Sequence, residues 1–260
     1  MATRLYITSA QSTLTFAFDA SWEQTAGSVR TMLMPERTGT PFLQVPIGET
    51  SVSTTFDVLI AQFLSPALTA QTVSGNLKGQ IRALESAADA DLRAQMLVRV
   101  VSANGSTVRG TLLAHDASAL TSEFDVVLTN RKFPLAWTGS GAALTPVVAE
   151  LGDRIVVEVG YRAHNATATG KSATLEFGDA SATDLAEDET STVQNNSWLE
   201  FSNTLNFDYS SGRFGASTAH LTELGRSNQG PSPAGGAFSQ NFPAGVPEGQ
   251  LCPGFRSART

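Results

Sequence analysis

The chain has 260 residues, of which 41% are hydrophobic and only 16% are charged, and its net charge is −7. This length can bury a sizeable core, and the many short apolar runs favour strands and turns over amphipathic helices. The acidic balance argues against a protein whose main work is neutralising nucleic-acid phosphates, so we expect no nucleic acid among its partners.

The first 50 residues contain three prolines and only brief apolar runs, such as Leu14 to Phe18 and Met32 to Met34. This composition predicts an N-terminal arm, residues 1–50, with one or two possible edge strands.

Alternation of apolar and polar residues predicts strands through the middle of the chain, residues 51–209. In the clearest strand, Asp153 to Arg162, the charged residues Arg154, Glu158 and Arg162 share one face, and we expect that face to be salt-bridged. The other predicted strands, in chain order, are Ser53 to Ser65, Thr72 to Glu85, Asp91 to Ser102, Val108 to Leu113, Phe124 to Leu128, Thr145 to Glu150, Ala173 to Phe177 and Ser197 to Phe207.

The dipeptide Asn104-Gly105 separates two of these strands and predicts a type I′ hairpin turn. Two packed sheets are the natural way to cover both faces of so many strands. The predicted fold class is therefore all-β: a jelly-roll-like, two-sheet antiparallel β-sandwich with extended N- and C-terminal arms.

The last segment, residues 210–260, contains nine glycines and five prolines and cannot bury a core of its own. Its four arginines and two glutamates give it a charge of +2, which leaves −9 of the total on residues 1–209. A cationic segment of this kind suits docking on the acidic body of a neighbouring copy. The predicted partner-binding residues are its four phenylalanines, Phe214, Phe238, Phe242 and Phe255.

The residue types that carry chemistry are scattered. The histidines His115, His164 and His220 have no second ligand at metal-site spacing, and Cys252 is the only cysteine. We therefore predict no catalytic residue, no metal site and no cofactor. A carboxylate pair such as Glu158 with Glu176 could support glycoside hydrolysis only if the fold set the required separation.

Two features of the sequence, an acidic loop and two tryptophans, each allow more than one interpretation. The acidic loop, residues 179–189, is either a calcium site, because hard oxygen ligands cluster there, or a solvated loop. Trp137 and Trp198 are candidates for stacking on a glycan, although Trp198 also fits a core tryptophan at the start of a strand.

The chain lacks a basic start followed by an apolar run, and no stretch approaches the ~18 consecutive apolar residues of a membrane span. We therefore expect no secretory signal, no membrane partner and synthesis in a cytoplasm.

Several strand and turn motifs of residues 1–209 resemble those of uncharacterised tailed-bacteriophage virion structural proteins of β-sandwich type. The resemblance lies in the runs Gln62 to Pro66, Gly79 to Ser86, Gly152 to Ala163, Gly178-Asp179 and Trp198 to Phe201. It implies a component of the virion that is made in the cytoplasm of a bacterial host. The implied partners are other copies of the chain and other virion proteins, the major capsid protein among them.

Three functions follow as hypotheses. The leading one is a capsid decoration or cement protein that stabilises the shell through contacts of its arms. The second is a tail or host-receptor module that binds a glycan, and the third is a glycan-degrading enzyme; the first two require no enzymatic activity.

Overall fold

The structure, a computed structural model, describes residues 1–50, 55–115, 123–134, 138–163 and 170–209. Over these residues the chain forms fourteen strands and no helix, which confirms the all-β class. No helix that could cross a membrane occurs among them. The strands are β1 (Thr3–Gln11), β2 (Val29–Met34), β3 (Leu43–Gly48), β4 (Phe56–Leu64), β5 (Gln71–Val73), β6 (Asn76–Glu85), β7 (Leu92–Val101), β8 (Val108–Leu113), β9 (Thr129–Phe133), β10 (Ala142–Ala143), β11 (Val147–Ala149), β12 (Arg154–Ala163), β13 (Ser172–Phe177) and β14 (Trp198–Phe201).

Twelve of the described strands form one large mixed sheet, in the order β3-β13-β6-β14-β1-β2-β4-β12-β7-β8, with β9 and β10 also paired to β6. The remaining strands, β5 and β11, form a small antiparallel sheet. The pair β2–β4 is parallel, whereas the sequence predicted antiparallel sheets throughout. A parallel pair needs a crossover connection, and here that connection contains β3, which lies at the far end of the strand order.

The strands of residues 1–50 lie deeper in the sheet than the sequence predicted. Both β1 and β2 are internal, and only β3 is an edge strand. Leu5, Ile7 and Leu33 from the internal pair are fully buried in the main core. These strands therefore share one core with the strands of residues 51–209.

The main core lies against one face of the large sheet. Its side chains include Phe63 of β4 and Phe177 of β13, whose rings meet edge to face with centroids 5.0 Å apart. These strands are well separated in the strand order, so the sheet curves until its distant parts contact each other through side chains.

Most predicted strands are confirmed with small shifts of their ends, and β8 has the predicted bounds. The strand predicted from Thr72 to Glu85 divides into β5 and β6 at Gly75, whose φ of +91° breaks the extended backbone. The strand predicted from Phe124 to Leu128 is wrong, because the nearest strand, β9, begins at Thr129.

The hairpin between β7 and β8 is confirmed, but its type I′ turn is wrong. That turn needs positive φ at both central residues, and only Gly105, at +77°, has it. The loop closes instead through bonds from Ser102 N to Thr107 O at 2.8 Å and from Gly105 N to Ser102 O at 2.8 Å.

Candidate functional site

A buried carboxylate holds an N-terminal segment across the outer face of the large sheet, the face opposite the main core. Glu158 of β12 is fully buried and accepts hydrogen bonds from Gln62 at 2.9 Å and from Arg99 at 2.5 Å. It also accepts bonds from Trp22 Nε1 at 2.8 Å and from Asp19 N at 3.2 Å. We call residues 12–24, which supply these last two donors, the strap.

A second ion pair lies beside the strap. Arg162 donates to both carboxylate oxygens of Asp57, at 2.8 and 2.5 Å. His115 lies 3.9 Å from the same carboxylate, and its ring meets the Trp22 ring edge to face at 4.1 Å. Burial lowers the pKa of His115 and outweighs the opposite effect of Asp57 and Asp19.

This arrangement has the geometry of a structural ion pair. A distance of 3.9 Å is too long for a hydrogen bond, so Asp57 does not orient His115 as it would in a catalytic relay. The expected salt-bridged face of β12 is confirmed by Glu158–Arg99 and Arg162–Asp57. It is buried under the strap rather than exposed to solvent.

Among the described residues, the carboxylates of Glu158 and Glu176 bond to different partners. Glu176 of β13 is paired with Arg82 of β6 and accepts a bond from Gln44 at 2.7 Å. Each of these two carboxylates is held by its own arginine. The geometry therefore gives no support to their pairing for glycoside hydrolysis.

Carboxylates of the acidic loop, residues 179–189, also accept hydrogen bonds from other residues of the chain. Asp179 accepts the backbone N–H groups of Thr38 and Thr40, at 2.5 and 2.6 Å. Asp184 is paired with Arg4 and Arg37. Burial alone would raise the pKa of Asp184, but hydrogen bonds from these arginines outweigh it and lower that pKa.

These bonds favour a structural role for the acidic loop over a calcium site. Asp188 likewise accepts backbone bonds from Thr190 and Ser191, at 3.2 and 3.0 Å. Within the described ranges, no group of three or more His, Cys, Asp or Glu residues is arranged to hold a metal ion.

Trp198 is the first residue of β14 and is fully buried. Its Nε1 donates to Leu185 O at 2.9 Å, and the Arg4 guanidinium lies 4.0 Å from its ring centroid. Trp198 is therefore a core residue at the start of a strand, which is one of its two predicted alternatives. Its ring is not accessible to a sugar in this structure. The other candidate for stacking, Trp137, lies outside the described residues.

The predicted partner-binding residues also lie outside the described residues, as do two histidines and the cysteine. These are Phe214, Phe238, Phe242, Phe255, His164, His220 and Cys252.

Three short segments lie side by side where the described chain ends. Residues 67–73 form the central segment. On one side of it lie residues 206–208, and the backbone N–H of Asp208 donates to Ala67 O at 2.7 Å. On the other side lie β11 and the turn that follows it, where the backbone N–H of Gly152 donates to Leu68 O at 2.8 Å.

Three large apolar side chains on these segments are exposed, those of Val148, Leu151 and Tyr209. Val148 lies beside Thr72, and Tyr209 follows Asp208, which bonds to Ala67, so the two are at opposite ends of the central segment. They are therefore single exposed residues, which are ordinary on a protein surface, and not one patch. The sequence carries no signal for this exposure, since Val147 and Val148 are adjacent and only the pairing of β11 with β5 decides which of them is buried.

No protein-family model and no curated protein matches the sequence. Among solved structures, the chain is similar to a CocE/NonD family hydrolase from Staphylococcus aureus, with 10% identity and a TM-score of 0.39, over 78% of this chain and 36% of that one. An α-amino acid ester hydrolase gives 9% identity and a TM-score of 0.31, over 76% and 35%. Eiger TNF from S. frugiperda gives 16% identity and a TM-score of 0.20, over 56% and 99%.

The chain spans about a third of the length of these two hydrolases. At these TM-scores the structural similarities do not indicate a function.

Proposed function

We propose that this chain is a structural protein of a bacteriophage virion, a capsid decoration or cement protein that stabilises the shell through contacts of its C-terminal arm, residues 210–260; the strands of residues 1–50 belong to the body and do not form a second arm. The phage assignment rests on the sequence resemblance of residues 1–209. The mode of action rests on one observation, the composition of residues 210–260, where four phenylalanines are spread among nine glycines and five prolines.

We further propose that the large sheet doubles over as a jelly-roll-like sandwich. In support of this, the hydroxyl of Tyr161 on β12 donates to Ile47 O on β3 at 3.1 Å. The strap residue Gln24 bonds to Leu59 N of β4 and to Gly48 O of β3, at 2.9 and 2.7 Å. These bonds join strands that are distant in the strand order, as two packed layers require.

Charge also fits contacts between copies. Residues 1–209 carry −9 and residues 210–260 carry +2, so a segment of one copy is attracted to the body of the next. Apolar area buried at each contact would contribute ~25 cal/mol per Å² before the cost of ordering the segment is subtracted.

Truncation after Tyr209 tests the proposal. We expect particles assembled with the truncated chain to lose this protein, or to release their genome at a lower temperature than particles with the full chain. Occupancy is measured by quantitative mass spectrometry and heat resistance by DNA release. Cys252→Ser is the control, because it changes the same segment without removing a phenylalanine. Unchanged occupancy together with unchanged heat resistance would refute the proposal.

A further inference from the structure

We infer that the strap is an acid-sensitive latch, in which protonation of His115 loosens the middle of the strap, residues 19–23, from the outer face of the large sheet. This inference goes beyond the proposed role in a virion and does not depend on it. The latch consists of the rings of His115 and Trp22, whose centroids lie 4.1 Å apart with their planes at 82°. The side chain of His115 is only 10% exposed, and Trp22 forms part of its cover.

The closed strap offers few hydrogen-bond partners to a protonated His115. Its Nε2 is buried and has no partner in the part of the chain that the structure describes. Its Nδ1 lies 3.9 Å from Asp57, whose two carboxylate oxygens already accept bonds from Arg162 at 2.8 and 2.5 Å. The Asp19 carboxylate is likewise bonded, to the Ser21 hydroxyl at 2.7 Å. A proton on this ring would therefore create a buried cation with an N–H group that lacks an acceptor.

The charged groups that face the His115 ring come from the strap, β4 and β12, and they are Asp19, Asp57 and Arg162. Beyond them, Arg93 of β7 pairs in register with Arg162, and Glu23 of the strap accepts the N–H of Asp57 at 2.8 Å. The two carboxylates that face the ring favour its charged form and Arg162 opposes it, but burial is the largest effect and lowers the pKa of His115. When the strap opens, this burial is relieved and the pKa returns toward its ordinary value of 6.5.

The sign of the pH effect follows from this difference between the closed and open states. Because the open state binds the proton at a higher pH than the closed state, acid favours the open state. The effect begins near pH 6.5 and grows as pH falls toward the lowered pKa of the closed state.

Two anchors limit the movement to the middle of the strap. On one side, Phe16 is buried in a small apolar cluster. On the other side, Gln24 accepts bonds from Leu59 N and Thr50 N, both at 2.9 Å, and its side-chain amide donates to Gly48 O at 2.7 Å. None of the groups in these two anchors titrates, so acid acts on the residues between them.

Hydrogen exchange of the full chain measures the opening. The reporting amides are those of Asp19, which donates to Glu158 at 3.2 Å, and Glu23, which donates to Asp57 O at 3.1 Å. After correction for the intrinsic pH dependence of exchange, we expect their protection to fall severalfold from about pH 7.5 to about pH 5.5. The limit is about tenfold for an open-state pKa of 6.5. Strand β1 is the internal reference, because its protection stays constant when the opening is local.

His115→Phe separates the latch from the other titrating groups. Phenylalanine keeps a ring beside Trp22 but binds no proton, so we expect the pH dependence of strap protection to disappear. His220→Phe is the matched control and should retain it. Glu85, which also titrates near neutral pH, is present in both variants and cannot account for a difference between them. Strap protection that is constant or rises at acid pH in the natural chain, an equal loss of protection in β1, or a pH dependence that survives in His115→Phe would each overturn the inference.

An NMR titration of the natural chain gives an independent measurement that does not require His115→Phe to fold. The imidazole resonances are assigned by comparison with His164→Phe and His220→Phe. We expect His115 to titrate below pH 6.5, and we expect Trp22→Ala, which removes the covering ring, to move its pKa toward 6.5. Trp22→Phe keeps an aromatic ring there and should leave the pKa lowered. A pKa of His115 at or above 6.5 in the natural chain, or one that Trp22→Ala does not change, would overturn the inference.

Discussion

Charged side chains in the interior of this protein are held by partners distant in sequence. Glu158 binds donors from the strap, β4 and β7, and Asp57 binds Arg162 from the neighbouring strand. Removing a charge from water costs several kcal/mol, and only complete hydrogen bonding offsets this. Loss of one partner would leave a buried charge unpaired, so these pairs fix the position of the strap.

Glu85, at the end of β6, is a buried acid beside other acids. Its carboxylate accepts a bond from Leu92 N at 3.0 Å. Burial and the neighbouring acids Glu123 and Asp91 together raise its pKa from an ordinary 4.5 to about 7, against the lowering effect of the Leu92 bond. The folded protein therefore binds a proton here that the unfolded chain releases at lower pH.

This predicts a loss of stability as pH rises from 4.5 to 7. In that window the folded state binds more protons, so the free energy of unfolding falls, and above pH 7 the full cost of the charge is present. We expect Glu85→Gln to be more stable than the natural chain by about 1–2 kcal/mol at pH 8 and equal to it at pH 4. Urea unfolding at both pH values measures this. Glu150→Gln is the exposed control, and an equal effect of Glu85→Gln at both pH values would contradict the prediction.

Among the strands, β12 is buried on both faces because the core covers one face and the strap covers the other. Its pairing with β4 shifts register between Val159 and Gly160. A methyl group at Gly160 would lie 1.9 Å from Val58 O and 2.9 Å from the Trp22 ring. The close approach of β4 and the strap therefore requires glycine at this position.

We expect Gly160→Ala to lower the free energy of unfolding by at least about 2 kcal/mol, because the added methyl group meets backbone that cannot move without breaking the β4–β12 pairing. Gly48→Ala is the matched control, since its nearest neighbour would be Lys171 O at 3.7 Å, an ordinary contact. Chemical unfolding of both variants measures the difference. Equal stability of the two variants would show that β4 and the strap adjust to the methyl group.

The sequence predicted the strands whose alternation is long and regular, such as β7, β8 and β12. Within residues 1–50 it predicted one or two possible edge strands but gave bounds for neither β1, whose exposed and buried positions alternate irregularly, nor β3, whose Pro46 is tolerated because the strand lies at the sheet edge. The order of the strands could not be predicted from the sequence, because it depends on contacts between residues far apart in the chain, such as that of Trp22 with Glu158, 136 residues away. For the same reason the exposure of Val148 could not be predicted, since it depends on which segments become neighbours.

At the scale of the whole molecule, the separation of charge between residues 1–209 and 210–260 gives a further expectation. Raising NaCl from about 50 to about 500 mM shortens the screening length roughly threefold, which would weaken the attraction between copies that the proposed function requires. We therefore expect self-association of the full chain to weaken over this range in sedimentation velocity. A dissociation constant that is unchanged or smaller at high salt would mean that apolar contact alone holds the copies together.

The pairing of β1 with β14 has a consequence for how the protein is made. Leu5 of β1 pairs with Leu199 of β14, so β1 leaves the ribosome long before its partner along one edge. At ~5–20 residues per second, that partner arrives roughly 10–40 s later. Newly made chains therefore spend this interval with an apolar strand half paired, and slow synthesis or crowded ribosomes lengthen the time in which they can aggregate.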